Sequence, residues 1–263
     1  LEFRRVLFRS VTGGSGHPAP SRTIVFQDRP EMRVDGTQLI STNLTDTTSA
    51  TGVVTSACNI ADKGQISKTF TCNAMTGGWL YGYEAAANFD NFYIGGEYYK
   101  FGVDRDFAYY RRNLTKAKYT ALTAFSSPEF SGWYVAGSWV LTGESKVYQA
   151  NASNNEWASW QAPNVIKPFS LDGDSWGAWE LTGRYSVTNL NWNAGDAGRT
   201  VPVGGIRGGE EKIWTVGMNW YLNKNVRMIF DDMVVNVDKL NAAGTQQIGQ
   251  KINILGARLQ LAF

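Results

Sequence analysis

Apolar and polar side chains alternate along this chain with a period of two, over runs too long for the strands of a soluble domain. In 255–263, Leu255, Ala257, Leu259, Leu261 and Phe263 share one face, and Gly256, Arg258 and Gln260 the other. Trp214, Val216, Met218, Trp220 and Leu222 oppose Thr215, Gly217 and Asn219. Trp179, Leu181, Tyr185 and Val187 oppose Glu180, Thr182, Arg184 and Ser186, and Trp133, Val135, Trp139 and Leu141 oppose Ala136, Ser138 and Thr142. Pro30, Met32 and Val34 oppose Arg29, Glu31, Arg33 and Asp35. Successive side chains of a strand point to opposite faces, so each segment has one apolar and one polar side. Eight segments read this way: 29–41, 79–89, 92–103, 130–142, 176–187, 211–222, 226–237 and 251–263. Each has about 11–13 residues. Soluble strands usually have about 5–6, whereas a tilted strand needs about 9–11 to cross a bilayer. The expected fold is all-β, a transmembrane antiparallel β-barrel. A β-sandwich also alternates. Strand length, aromatic residues recurring near strand ends, and Phe263 ending the chain on an apolar face favour the barrel.

Composition agrees once this alternation is allowed for. No run of about 18 apolar residues exists, so no transmembrane helix is expected. Mean hydropathy is −0.28, a value typical of soluble proteins, but lipid-facing and inward-facing residues cancel in such an average. Residues 1–10 resemble the translation of a sequencing adaptor, an artefact to be set aside from fold reasoning. The rival reading is a basic signal-peptide region, yet a Gly/Ser/Pro stretch follows where an apolar core should stand. Residues 11–24 are expected to be a poorly ordered leader, and 25–263 the barrel, with the true start of the protein missing. Arg4, Arg5 and Arg9 against Glu2 account for the whole formal charge of +2. The basic balance is therefore no argument for a nucleic-acid partner.

Connection lengths set the expected orientation. Asp90-Asn91 and Asn223-Lys224-Asn225 are tight turns, as on the periplasmic side of such barrels, and 104–129, 188–210 and 238–250 are long, as outside the cell. Segment 143–175 is long but falls on the periplasmic side. Its Tyr148, Trp157, Trp160 and Phe169 suit a segment folded inward against the lumen; a disordered connector is the alternative. Cys58 and Cys72 lie in a polar loop, 42–78, with no further Cys or His for a zinc site. A disulfide there encloses about fifteen residues and would contribute about 3 kcal/mol by the chain-entropy treatment.

No catalytic site is expected. The one histidine, His17, lies in the leader, which excludes a Ser-His nucleophile. No cofactor or metal is expected either. The pore-lining candidates are Arg29, Arg33, Glu84, Glu97, Glu180, Arg184, Arg227 and Arg258. Rings of charge set ion preference in a pore; otherwise these residues only solvate and stiffen the wall. Arg111, Arg112, Lys116, Lys118, Lys146, Lys167, Arg199, Arg207 and Lys212 are basic candidates for a vestibule or inward loop. Such clusters also bind lipopolysaccharide phosphates or simply face solvent.

Several motifs resemble the phosphate-selective porin O and P family. They are Gly132-Trp133-Tyr134-Val135 with Gly137-Ser138-Trp139-Val140-Leu141-Thr142-Gly143-Glu144, and Gly177-Ala178-Trp179-Glu180-Leu181 with Arg184-Tyr185-Ser186. Arg207-Gly208-Gly209-Glu210, Trp214 and Asn219-Trp220-Tyr221-Leu222-Asn223 continue the likeness. Arg29-Pro30-Glu31, Val34-Asp35-Gly36-Thr37, Phe92-Tyr93 and Gly96-Glu97-Tyr98-Tyr99 extend it upstream. The resemblance implies a Gram-negative outer-membrane porin of sixteen strands, usually a trimer, that passes anions along Arg and Lys. About eight of those strands would be here. The implied function is ion transport, an anion channel for phosphate or polyphosphate. A structural or adhesion barrel without anion selectivity is the alternative. Expected partners are small anions, outer-membrane lipid, lipopolysaccharide and the barrel-assembly machinery, which would read Phe263. Asp232 departs from the pattern, because its alternation points it at lipid.

Overall fold

The computed structural model describes residues 22–28, 38–46, 75–105, 127–150, 158–199, 201 and 205–262. Among them every regular element is a strand: β1 (Arg22–Asp28), β2 (Ile40–Asp46), β3 (Met75–Phe89), β4 (Phe92–Arg105), β5 (Glu129–Val140), β6 (Tyr148–Ala150), β7 (Ala158–Trp160), β8 (Ala178–Trp192), β9 (Ile206–Tyr221), β10 (Val226–Asp238) and β11 (Lys251–Leu261). Seven long strands form one antiparallel sheet in the order β11-β10-β9-β8-β5-β4-β3. They have 11 to 16 residues. At about 3.3 Å per residue even the shortest spans roughly 36 Å, enough to cross a ~30 Å hydrocarbon core. The register slips only between Met75 and Gly77 and between Asn189 and Asn191. Elsewhere the period of two carries each face unbroken across the sheet.

The short connections are built by local chemistry. Asp90 takes a left-handed φ of 49° in the β3–β4 turn, a conformation that two-residue hairpin turns require and Asp tolerates. The Asn223 carboxamide oxygen accepts the N–H groups of Asn225 and Val226 at 2.8 and 3.0 Å, closing the β9–β10 turn. At the opposite end, Arg207 ties two loops together. Its guanidinium donates to the carbonyls of Ala194 (2.9 Å), Asp196 (3.2 Å) and Arg199 (2.8 Å), and to those of Asn241 (3.3 Å) and Ala242 (3.2 Å).

One segment departs from expectation. The described end of the stretch 29–41, residues 38–41, lies outside the seven-stranded sheet. Ile40 belongs to β2, which pairs with β1 in a separate two-stranded sheet, and residues 29–37 lie outside the described ones. β1 begins at Arg22, inside the stretch expected to be leader. The hairpin has an apolar side of its own, Phe26, Ile40 and Leu44, and these are buried against the sheet. The Phe26 ring lies 4.7 Å from Phe101 and 5.3 Å from Phe130 between centroids. Each such buried side chain contributes about 1.5–3 kcal/mol, which pairing at an edge would not recover. The edges of the sheet are β3 and β11: 251–263 supplies one edge, as β11, while the other edge is β3 and not 29–41, and these two strands are not paired with each other among the described residues.

We call the face of the seven-stranded sheet that carries the hairpin its inner face, and the opposite one its outer face. The half of the inner face nearest the long loops is apolar, with Tyr99, Phe101, Val103, Phe130, Leu190, Ile213, Met233, Val235 and Val237 packed with the hairpin. The outer face is an apolar belt between two aromatic bands. Trp179 and Trp220 stack at 5.0 Å near the short turns. Trp133, Tyr185 and Trp214 form the second band, with centroids 5.4 and 4.3 Å apart. Trp214 and Trp220 lie six residues apart, roughly 20 Å along the strand. Between and beside them Val216 is 64% and Leu255 82% exposed. Beyond the second band the surface turns ionic, with Lys100–Glu129 at 2.7 Å and Lys212–Glu210 at 2.5 Å. Asp232 stands in the belt, opposite Val216 and Leu255, and no bulge in β10 turns it away.

Candidate functional site

Polar chemistry gathers on the inner face, in the half nearest the short turns. Cross-strand register partners share a face, so rows of side chains can be followed across the sheet. One row runs Glu84, Glu97, Tyr134, Ser186. The next runs Ala86, Gly95, Ala136, Arg184, Thr215. Further on come Thr182, Gly217 and Asp231, then Glu180 and Asn219, with Ile229 and Arg258 continuing that row, and last Tyr221, Arg227 and Gln260. Glu84, Glu97, Glu180, Arg184, Arg227 and Arg258 therefore stand on the same face.

Glu180 is the hub of a buried network. It is fully buried. Lys146 Nζ reaches its Oε1 at 2.6 Å, while Asn219 Nδ2 and the Tyr221 hydroxyl donate to Oε2 at 2.8 and 2.6 Å. A carboxylate out of water needs this many partners. Lys146 comes from the long β5–β8 connection and also lies 5.1 Å from the Tyr93 ring. The β6–β7 hairpin follows it, with Trp160 5.5 Å from Tyr93 and 5.1 Å from Tyr148. In the first half of this connection, Lys146 and Trp160 lie against the inner face. Its second half crosses the rim, where the Phe169 ring meets Trp220 on the outer face at 5.6 Å.

The inner-face arginines Arg184, Arg227 and Arg258 differ in their surroundings. Arg184 is buried, with its guanidinium carbon 3.8 Å above the Tyr134 ring centroid. Tyr134 is in turn the register partner of Glu97, so this cation sits beside aromatic and acidic groups. Arg227 donates from Nε and Nη2 to Gln260 Oε1 at 3.0 and 2.8 Å. Gln260 is neutral, so the contact orients Arg227 without cancelling its charge. Arg258 projects from β11 two residues before Gln260, diagonal to Arg227, a relation that places Cα atoms about 7–8 Å apart. No ion pair or hydrogen bond engages the Arg258 side chain among the described residues.

The other sequence candidates scatter. Lys146 is in the Glu180 pair, Arg207 is the loop clamp, and Lys212 pairs with Glu210 on the outer rim. Lys167 and Arg199 are exposed, on the β5–β8 and β8–β9 connections. Arg29, Arg33, Arg111, Arg112, Lys116, Lys118, Cys58, Cys72, His17 and Phe263 lie outside the described residues. Two inner-face carboxylates escaped the sequence reading: Glu211, fully buried between Thr188 and Val237 in register, and Asp231, opposite Gly217. The alternation that placed Gly217 inside places both of them there too.

No curated protein sequence matches this chain. The sequence model of the phosphate-selective porin O and P family matches residues 32–263, a stretch that includes every long strand of the sheet and the whole inner-face row system. Family sequence, all-β antiparallel architecture and outer apolar belt agree, and the chain belongs to the phosphate-selective porin O and P family.

Proposed function

We propose that this chain forms part of an outer-membrane diffusion channel for small anions, phosphate or polyphosphate among them. Family membership supports a phosphate-selective outer-membrane channel. The observation that carries the finer reading is the Arg227–Gln260–Arg258 group, two diagonal guanidiniums on the inner face with no carboxylate paired to either among the described residues. An anion passing there would exchange hydration for guanidinium N–H donors, and binding by side chains still open to water is weak enough to release it. Glu84, Glu97 and the Arg184–Tyr134 stack sit further along the same face and would temper that preference. In this reading the chain acts by binding and release, not by catalysis.

A second reading, a structural barrel with a blocked lumen, draws on the β1–β2 hairpin packed over the inner face. Planar-bilayer recordings separate the two. Conductance higher in phosphate or chloride than for the matching cation supports the channel, and its absence from inserted protein supports the blocked barrel. Assembly as a trimer and insertion by the barrel machinery through Phe263 belong to the same proposal.

A further inference from the structure

We propose that segment 166–176, the second half of the β5–β8 connection, is a membrane anchor. It would seat Ile166, Leu171 and Trp176 among the headgroups and outer acyl carbons of the phospholipid leaflet nearest the short turns.

The segment is bolted to the outer side of the sheet. Phe169 N–H donates to the Leu222 carbonyl at 2.7 Å, and the Trp220 indole N–H donates to the Trp176 carbonyl at 2.6 Å. The Phe169 ring stands edge-on to Trp220 and lies 6.0 Å from Trp176. Trp220 itself stacks on Trp179 in the aromatic band at the edge of the belt. Between the bolts the chain turns tightly. Ser170 N–H donates to the Ser175 carbonyl at 3.0 Å, and Gly173 at φ +87° donates to the Ser170 carbonyl at 3.3 Å. That turn holds Leu171 at its tip.

Exposure then decides the matter. Leu171 is 93% exposed, Ile166 72% and Trp176 65%, although nearby Phe169 is packed. Large apolar side chains left out of a folded loop mark an interaction surface when they adjoin another. Trp176 adjoins the Trp179–Trp220 band through Phe169 and its carbonyl bond to Trp220, and Ile166 and Leu171 flank Phe169 on the same short segment. Lys167, Asp172 and Asp174 alternate with them and are exposed. A segment with apolar tips, a Trp and interspersed charges suits the headgroup boundary rather than the bilayer centre. Zwitterionic phospholipid is the occupant that offers both the acyl surface and the headgroup charges.

The proposal rests on the reading of the outer face as lipid-facing, and one experiment tests the two separately. Leu171→Cys and, as a belt reference, Val216→Cys are each made in a background in which Cys58 and Cys72 are serine. An environment-sensitive fluorophore is attached and the porin is inserted into phosphatidylcholine vesicles carrying brominated acyl chains. The expected result is loss of emission at 171 with bromine near the glycerol end, loss at 216 with bromine near the methyl end, and little quenching of either by aqueous iodide. Iodide quenching at 171 with lipid quenching at 216 overturns the anchor alone. Shielding of 171 from both quenchers overturns it in favour of protein cover, such as a second copy. No lipid quenching at 216 overturns the lipid-facing reading itself. Should the cysteine-free chain fail to fold, the chain with its native cysteines serves. The fluorescence lost on Trp176→Phe must then be quenchable by the brominated lipid, and if it is not, the anchor is refuted.

Discussion

Replacing Lys146 with methionine isolates the buried network that holds the β5–β8 connection inside. The substitution keeps the length and apolar stem of the side chain and removes only the ammonium. Glu180 would then be a fully buried carboxylate with two neutral donors left, Asn219 and Tyr221. Removing one partner of a buried ion pair costs about 3–5 kcal/mol. The two remaining charge-assisted bonds place this case toward the lower end, about 3 kcal/mol. Glu180→Gln together with Lys146→Met removes both charges, so most of that loss should return, since a buried pair replaced by neutral groups of similar size is often nearly neutral. The assay is urea unfolding of the detergent-solubilised porin, read by the heat-dependent shift in electrophoretic mobility, alongside protease sensitivity of residues 144–160. A Lys146→Met midpoint unchanged from the parent, or a double variant no more stable than Lys146→Met, would refute the reasoning.

Arg258→Glu should lower the anion-to-cation permeability ratio while the folded fraction stays the same, and Arg227→Gln should act in the same direction more weakly. Unchanged reversal potentials in asymmetric salt would remove both residues from the ion path. Arg207→Met deletes the donor shared by five loop carbonyls and should destabilise the long-loop end by about 2–3 kcal/mol, on the scale of losing charge-assisted hydrogen bonds. Faster proteolysis within 193–205 and 239–250, without a change in selectivity, is the expected readout. Asp232→Val should stabilise the inserted protein by about 1–2 kcal/mol, since a carboxylate on a lipid-facing surface costs less than the ~2–4 kcal/mol of a midplane cation. A lower unfolding midpoint for Asp232→Val would show that a partner, not lipid, faces this residue.

Which face a residue occupies was legible in the sequence, because strand covalent geometry fixes a period of two and the register of seven paired strands propagates it. Glu180, Arg184 and Arg258 could thus be put on one side, and Trp179, Val216 and Leu255 on the other, without coordinates. Glu211 and Asp231 obey the same rule, each on the face opposite a lipid-side residue of its strand, Trp214 and Asp232. The segment 29–41 shows the limit of the rule. Alternation does not say which sheet a strand joins, and the described end of this segment, Ile40 and Ser41, pairs in the β1–β2 hairpin. That depended on Phe26, Ile40 and Leu44 finding the apolar patch around Phe101 and Phe130, a match between surfaces distant in sequence. The electrostatic state of the site was decided in the same non-local way. Lys146 and Glu180 are joined by an irregular connection with no period to read, and Arg207 clamps a loop because the β8–β9 and β10–β11 connections meet around it. Period and length settle what a strand can be, whereas charge neutralisation depends on which groups come within a few ångströms of each other, and only the folded path of the chain decides that.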